Sequence, residues 1–149
     1  MKVLVVESNP ILLKIISLKL SRANYTVYSS LDGENAQRII THIQPDIIIT
    51  KLRLKYISGL ELIKLSKSKF PNVFIIVMTK IDHAASINDF KKAGVNVCIK
   101  RPFNLEALIQ IITEYKLKQE AEIAALNLPE TIPLYKNLIQ LYKDGTHPL

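Results

Sequence analysis

The fold is constrained most strongly by an apolar run at positions 46–50. Ile47, Ile48 and Ile49 follow one another there with no polar residue between them. A β-branched run of strand length without polar alternation predicts a strand buried on both faces, as at the centre of a parallel sheet. Lys51 comes directly after the run. Because open α/β sheets place their binding sites at the carboxyl ends of the strands, we expect Lys51 to lie in a pocket.

Strand and helix patterns alternate along the rest of the chain. Further strands are predicted at 2–6, 25–29, 73–78 and 97–99, with amphipathic helices between them. The apolar residues expected to face inward are Leu12, Ile15, Ile16 and Leu20 in the first helix, Ala36, Ile39, Ile40 and Ile43 in the second, Leu60, Ile63 and Leu65 in the third, and Leu105, Leu108, Ile109 and Ile112 in the fifth. Five βα units with right-handed crossovers predict a doubly wound α/β fold, a five-stranded parallel sheet with helices on both faces.

The helix boundaries have recognisable residues. Pro10 suits the first turn of the first helix, after a Ser or Asn cap. Asp32 is a cap for the second helix, and Asn104 for the fifth. Gly94 suits the left-handed position that ends the fourth helix.

The formal net charge of +7 belongs to the main body of the chain. Through residue 103 there are 16 Lys and Arg against 7 Asp and Glu, a net charge of +9, and from residue 104 onward there are 4 against 6, a net charge of −2. A basic body is compatible with nucleic acid or an acidic partner, and equally with an ordinary solvated surface. Charge alone therefore does not select a function.

Composition argues against several classes of protein. The one cysteine, Cys98, cannot form an internal disulfide and has no companion set of Cys and His ligands, which fits a reducing cytoplasm. No apolar run approaches the roughly 20 residues of a membrane span, so we expect a soluble protein with no membrane partner. The sequence has no Gly-rich phosphate loop, no nucleophile with a base and no metal cluster. We therefore expect no enzyme, no metal and no cofactor.

The end of the chain predicts a helical appendage. The pattern of the fifth helix runs on until Leu128 and Pro129, and a last helix is predicted after Thr131. The apolar positions of that last helix are Leu134, Leu138, Leu141 and Tyr142. We divide the chain into a domain at 1–117 and a C-terminal helical extension at 118–149. The extension either folds back over the domain or presents its apolar stripe to a partner or a second copy.

Short motifs occur in order where the predicted strands and helices meet. They are Val3 to Val6 followed by Pro10, Pro45-Asp46, Ser58 to Leu62, Thr79, Ala93-Gly94 and Pro102-Phe103. In residues and spacing, positions 1 to about 117 resemble the receiver domain of bacterial response regulators. The resemblance implies the chemotaxis-type, flavodoxin-like strand order 2-1-3-4-5 and a place in two-component signal transduction and phosphorelay.

The resemblance also implies a phosphorylation pocket whose residues are altered. In the family, an aspartate at the end of the third strand accepts phosphate from a histidine kinase, and Lys51 aligns with it. Two acidic residues after the first strand hold Mg²⁺, and the positions here are Glu7 and Ser8. A hydroxyl after the fourth strand aligns with Thr79, and a lysine before proline after the fifth aligns with Arg101. The resemblance thus indicates a degenerate pocket and a pseudo-receiver that lacks the phosphoacceptor aspartate.

The side chains at these positions do not suit the family's chemistry. The amine of Lys51 forms no acyl phosphate, and a single Glu7 beside two cations is a poor Mg²⁺ site. We expect Glu7 to pair with Lys51 or Arg101, with the lysine nitrogen roughly at the place of the metal. The alternative is that Lys51 extends into solvent. Asp46 lies at the wrong end of its strand and Asp82 in a loop, so neither replaces the acceptor.

Cys98 aligns with the switch aromatic of the family's fifth strand. A small core residue is the simpler role for a cysteine on a short strand, and a redox switch is the alternative. The three histidines, His42, His83 and His147, are dispersed along the chain and are expected at the surface.

Two classes of function follow. In the first, the protein is an atypical receiver that acts as a phosphorylation-independent protein-interaction module. It binds a protein partner through the family's output face, formed by the fourth helix, fifth strand and fifth helix, or through the C-terminal helices, and it could form a homodimer. The alternative is a small DNA-associated transcriptional regulator that uses the basic receiver surface. The short acidic tail has no recognition-helix pattern, so we expect no nucleic-acid partner.

Overall fold

A computed structural model describes residues 1–80 and 84–126 of the chain. The strands are β1 (Lys2–Val6), β2 (Thr26–Ser30), β3 (Ile47–Lys51), β4 (Phe74–Thr79) and β5 (Val97–Lys100). The helices are α1 (Pro10–Arg22), α2 (Gly33–Ile43), α3 (Gly59–Lys69), α4 (Ala84–Ala93) and α5 (Leu105–Leu126). All neighbouring strands are parallel, in the order β2-β1-β3-β4-β5. The predicted fold class and strand order are therefore confirmed.

The central strand has the burial that its sequence predicts. Ile47, Ile48 and Ile49 are all buried, and β3 lies between β1 and β4. An apolar run suits that place because helices cover both faces of a parallel sheet. The predicted strands β2 and β4 are each displaced by one residue from those observed, and Lys51 is the last residue of β3 rather than the first after it.

α1 begins where the sequence predicts, with Pro10 in its first turn, but its buried face is rotated. The side chain of Asn9 caps the helix by accepting hydrogen bonds from the backbone N–H groups of residues 11 and 12. Leu13, Ile16 and Leu20 are buried, whereas Ile15, which was expected inside, is 44% exposed. The prediction for Ile15 is wrong because apolar residues surround much of this helix, so that the 3.6-residue period alone admits more than one inward stripe.

The second and third helices are fixed by side-chain caps. Asp32 caps α2, as predicted, and Ser58 and Glu61 form a reciprocal capping box at the start of α3. In α3, Leu62 and Ile63 are fully buried. Leu60 and Leu65, which the sequence predicts to face inward beside Ile63, are only half-buried. The sequence pattern does not identify Leu62 as an inward residue.

Gly59 places α3 directly against the end of β3. A Cβ added at this residue would lie 2.8 Å from Cα of Leu52 and against the backbone carbonyl of Lys51. The backbone N–H of Gly59 also donates a hydrogen bond to the carbonyl of Leu52 at 2.9 Å. Close approach of two backbones requires a glycine here, and it holds the chain segment that follows Lys51 in place.

Residues 1–105 form one compact unit, and the chain from Glu106 onward forms another. In the described part of the second unit, α5 is a continuous helix that carries the buried residues Leu108 and Ile112. Ile109, which was expected to be inward, is half-buried. The helix continues past residue 117 as predicted, but the division into 1–117 and 118–149 stays a prediction. The predicted last helix lies outside the described residues.

No helix in the part of the chain that the structure describes is long and apolar enough to cross a membrane.

Candidate functional site

The carboxyl ends of four strands bring the predicted pocket residues together. Glu7 directly follows β1, Lys51 ends β3, Thr79 ends β4, and Arg101 directly follows β5. The strand register sets Val6 beside Thr50 and Thr79 beside Lys100, and Lys51 lies beside Met78. Because parallel strands end at the same edge, residues separated by as many as 94 positions meet there.

Glu7 is a fully buried carboxylate that serves two cations. One oxygen, Oε2, accepts a hydrogen bond from Nη2 of Arg101, and the other, Oε1, lies 3.8 Å from Nζ of Lys51. Oε1 also accepts from the backbone N–H of Asn9 at 3.1 Å. The expected pairing of Glu7 is confirmed, and it includes both candidate cations instead of one. A buried carboxylate needs such partners to offset the loss of hydration.

Lys51 does not extend freely into solvent. Its Nζ donates a hydrogen bond to Oγ of Ser8 at 2.7 Å, and its side chain is 22% exposed. Ser8 therefore has a defined role as an acceptor, which the sequence did not predict. The two residues after β1 and the last residue of β3 form one polar group.

Arg101 connects the end of β5 to the same group. Its backbone N–H donates to the carbonyl of Thr79 at 2.8 Å, and its side chain is 17% exposed. The peptide bond between Arg101 and Pro102 is cis. Within the described residues, the buried Nε of Arg101 has no hydrogen-bond partner. The guanidinium is therefore held chiefly by its contact with Glu7.

A cavity of about 300 Å³ opens beside these side chains. Its lining residues come from the ends of β3, β4 and β5 and are Lys51, Leu52, Arg53, Met78, Thr79, Lys80 and Arg101. Four of the seven are cations. Thr79, the hydroxyl residue expected here, lines the cavity and is itself buried. The pocket predicted for Lys51 is thus present, with a strongly basic lining.

The residues at this edge do not fit Mg²⁺. Glu7 is the one carboxylate among the predicted pocket residues, and both of its oxygens are engaged with Arg101, Lys51 and a backbone N–H. Hard divalent cations take oxygen ligands, usually more than one carboxylate or carbonyl, and two neighbouring cations oppose them. Within residues 1–80 and 84–126, no group of three or more His, Cys, Asp or Glu side chains is placed to hold a metal.

Cys98 is a half-buried residue of the edge strand β5 that packs against the core. Burial raises the pKa of its thiol above the usual value, and the charge of Lys91 acts in the opposite direction. A thiol with a raised pKa is a weak nucleophile at neutral pH, which favours the packing role over the redox role.

The other acidic and histidine candidates lie away from the pocket or outside the described residues. Asp46 is exposed at the amino end of β3, where it accepts from the backbone N–H of Lys2 at 2.8 Å. His42 is exposed on α2, as expected. Asp82, His83 and His147 lie outside the described residues.

Nothing in the residue pattern indicates the environment of Lys67. Its Nζ donates to the carbonyl of Val73 at 2.5 Å, and its methylene stem lies where a Cβ on Gly94 would be. Burial lowers the pKa of this amine. Gly94 has φ of 104°, so a left-handed glycine also makes room for the lysine. A lysine is ordinarily expected at the surface, and the residues next to Lys67 in the sequence do not indicate that it is packed.

The comparisons with known proteins agree with this fold. Residues 3–113 match the family model of the response regulator receiver domain. The probable C4-dicarboxylate response regulator DctR of Halalkalibacterium halodurans is 25% identical over 138 residues, 88% of this chain and 60% of that protein. The sporulation initiation phosphotransferase F of Bacillus subtilis is 21% identical over 76% of this chain and 92% of its own length. The chain spans 30% of the cyclic di-GMP phosphodiesterase of Thermotoga maritima, at 29% identity.

Solved structures show the same fold. A receiver domain protein from Methanospirillum hungatei has a TM-score of 0.76 at 21% identity, covering 81% of this chain and 97% of its own. Chemotaxis response regulator CheY4 of Vibrio cholerae has a TM-score of 0.70 at 24% identity, covering 75% and 95%. Receiver domains act in two-component signalling through contacts with other proteins. This chain belongs to the response regulator receiver domain family.

Proposed function

We propose that this protein is an atypical receiver that acts in signal transduction without phosphorylation, as a protein-interaction module. The observation that carries the proposal is the shared carboxylate. Glu7 is fully buried, and its oxygens are already engaged by Arg101 and Lys51 at the sheet edge where the family's phosphoryl chemistry takes place. Phosphoryl transfer needs an acceptor oxygen and a divalent cation, and this arrangement favours neither.

Lys51 is proposed to stand in place of the phosphoacceptor. It is the last residue of the central strand β3, and its ammonium group is bound to Ser8 and close to Glu7. The positive charge that a metal would supply is then already part of the polypeptide. Thr79 and Arg101 keep positions around the cavity, and Cys98 is proposed to replace the switch aromatic with a smaller packed side chain.

Protein binding is supported by apolar side chains on α1. Ile11, Ile15 and Leu18 are 72%, 44% and 46% exposed and follow one another at steps of four and three residues. They therefore share one face of the helix. A cavity of about 530 Å³ lies alongside, between α1 and the turn from β2 to α2, and its lining includes Leu18 and Leu31. Grouped exposed apolar residues are typical of interaction surfaces.

The output face proposed from the family comprises α4, β5 and α5. In the first unit, α4 presents the exposed cations Lys91 and Lys92, and β5 is the edge strand of the sheet. The contribution of α5 and of the C-terminal helices, and a homodimer formed through either, stay proposals. We further propose that the protein is cytoplasmic and is not an enzyme, a role consistent with the signalling family to which it belongs.

Intact mass after incubation with acetyl phosphate tests the proposal directly. We expect no gain of a phosphoryl group, with or without Mg²⁺. Amide NMR spectra recorded with Mg²⁺ alone should show no saturable shifts at Glu7, Lys51 or Thr79. A phosphate adduct would show that another residue accepts phosphate and would refute phosphorylation independence.

The binding face is tested once a partner is identified. Charge reversal of Lys91 and Lys92 to Glu should weaken the complex at least tenfold, because the partner contacts α4. The control is Arg22→Glu, another exposed cation, at the end of α1. Weakening by Arg22→Glu alone would place the partner on α1 instead of α4.

A further inference from the structure

We infer that the cavity at the carboxyl edge of the sheet is a noncovalent binding site for a small tetrahedral oxyanion, with inorganic phosphate as the probe. The inference rests on the proposed function in one respect, since it takes the pocket to carry no covalent phosphoryl group. It assigns a ligand to the cavity lined by Lys51, Arg53, Thr79, Lys80 and Arg101.

The first argument is charge. Four cations line the cavity, and two of them, Lys51 and Arg101, share the single carboxylate of Glu7. The described residues at this edge therefore leave an excess of positive charge beside an opening in the protein surface. Lys51 and Arg101 are also less than a quarter exposed, so bulk water screens their charges only in part. A dianion would relieve the mutual repulsion of these cations.

The second argument is the kind of donor. Arg53 is exposed and presents a guanidinium, whose planar N–H groups match the oxygens of phosphate and sulfate. Lys51, at the end of β3, and Lys80, directly after the neighbouring strand β4, supply ammonium donors. Thr79 adds a hydroxyl-bearing residue to the lining. Cations from three strand ends converge on the same opening.

The third argument is size. The volume of about 300 Å³ is at the lower end of the range for ligand pockets, and the apolar part of the lining is Leu52 and Met78. No aromatic side chain among the lining residues is available to stack on a nucleotide base. The cavity therefore suits a free inorganic anion better than a nucleotide.

Occupancy of this site would give the protein a source of regulation. A ligand shifts a conformational equilibrium only by its difference in affinity for the two states. An oxyanion that binds between the ends of β3, β4 and β5 would contact the segments after Lys51 and Thr79. The protein would then respond to anion concentration instead of to a kinase.

The test is an amide NMR titration of the full chain at neutral pH without Mg²⁺. Separate titrations use sodium phosphate, sodium sulfate, sodium acetate and sodium chloride at matched ionic strength. We expect phosphate and sulfate to produce saturable shifts that cluster at Lys51, Arg53, Lys80 and Arg101. Acetate and chloride should produce only small shifts that do not saturate. Equal responses to all four salts, or none to phosphate, would overturn the inference.

Variants give the second readout. Lys51→Gln should weaken phosphate binding at least tenfold, because a charge-assisted contact is lost. Arg53→Gln tests the same site at an exposed residue, where we expect the fold to be unaffected, and it should weaken binding severalfold. The control is Arg22→Gln, which removes the same charge at the end of α1. If Arg22→Gln weakened binding as much as Arg53→Gln, the effect would be one of net charge and the site would be refuted.

The two proposals fail in different ways. A phosphate adduct in the mass spectrum after acetyl phosphate would refute phosphorylation independence. The absence of saturable phosphate shifts, with no adduct, would refute only the oxyanion site. Addition of Mg²⁺ should leave the phosphate affinity unchanged, since Lys51 and Arg101 already occupy the carboxylate of Glu7.

Discussion

Glu7 is the residue on which the pocket depends, because one buried carboxylate offsets two partly buried cations. Glu7→Gln keeps the shape and removes the charge. We expect it to lower the free energy of unfolding by about 3 kcal/mol, since Lys51 and Arg101 would be left facing each other without a counter-ion. Urea unfolding followed by circular dichroism measures the change.

The matched control for that variant is Glu34→Gln. Glu34 pairs with Arg38 on the surface of α2 at 2.7 Å, with both side chains well exposed. Exposed pairs of this kind contribute below about 0.5 kcal/mol. Equal effects of the two substitutions would show that Glu7 is hydrated in solution and that its buried pairing is not formed.

Cys98 gives a prediction at alkaline pH. Burial raises the pKa of its thiol in the folded protein, so the unfolded chain loses the proton first. The contribution of this group to stability is therefore complete below the unfolded pKa, near 9.0, and is lost as pH rises through the folded value. Stability measured by urea unfolding should fall more steeply above that pH in the native protein than in Cys98→Ala.

The same thiol should react slowly. As Cys98 is the single cysteine, alkylation by iodoacetamide can be followed by intact mass. We expect the folded protein to react more slowly at mildly alkaline pH than the protein unfolded in urea, because thiolate is the reactive form. A folded rate equal to the unfolded rate would contradict the burial of Cys98 and would revive the redox role.

At the scale of the elements, α3 begins with a capping box that sets the end of the loop after Lys51. Ser58 Oγ accepts from the backbone N–H of Glu61 at 3.2 Å, and the Glu61 carboxylate accepts from the backbone N–H of Ser58. Ser58→Ala should cost about 1 kcal/mol of unfolding free energy, measured by urea unfolding. Ser68→Ala, near the exposed end of the same helix, should be close to neutral. A larger loss of unfolding free energy in Ser68→Ala than in Ser58→Ala would contradict the capping role of Ser58.

Gly59 couples the same helix to the pocket. In Gly59→Ala the new methyl group would meet the backbone of Lys51 and Leu52, and backbone cannot rotate away as a side chain does. We expect a loss of roughly 1 to 3 kcal/mol, measured by urea unfolding. NMR shifts should extend to Lys51 and Ser8. A variant of native stability and unchanged spectrum would show that α3 can move away from β3.

The sequence was sufficient to predict the strands and helices, but it was not sufficient to predict which face of a helix is buried. Every strand was predicted to within a residue or so, because apolar β-branched runs separated by helical patterns have few alternative arrangements. The inward face of α1 was predicted incorrectly at Ile15, since the direction of a helix over a sheet is not encoded in its period. The packed amine of Lys67 was missed because its shortest hydrogen bond is to the backbone carbonyl of Val73, which the sequence does not reveal.

The site was predicted in part. Parallel strands bring their ends together, so the meeting of Glu7, Lys51 and Arg101 followed from the strand order and pocket positions that the resemblance to receiver domains implies. The sharing of one carboxylate by both cations depends on distances that only coordinates supply. The hydrogen bond from Lys51 to Ser8 likewise could not be predicted from the spacing of residues in the sequence.

For the whole molecule, the pocket predicts indifference to magnesium. A ligand that binds only the folded state raises its stability in proportion to the logarithm of its concentration. With Glu7 already engaged, we expect the melting temperature in magnesium chloride to equal that in EDTA with sodium chloride at matched ionic strength. Calorimetry checks this. A clear rise with magnesium would show that oxygen ligands are still available at the sheet edge.

The bond between Lys51 and Ser8 also bears on the history of the chain. Replacing Lys51 by aspartate would remove one cation and add one anion beside buried Glu7, while Ser8 would supply no second metal ligand. The single step would therefore leave two carboxylates in conflict without creating a metal site. Phosphoryl chemistry at this edge of the sheet would therefore require changes at both positions, since it needs an acceptor oxygen and a bound divalent cation together.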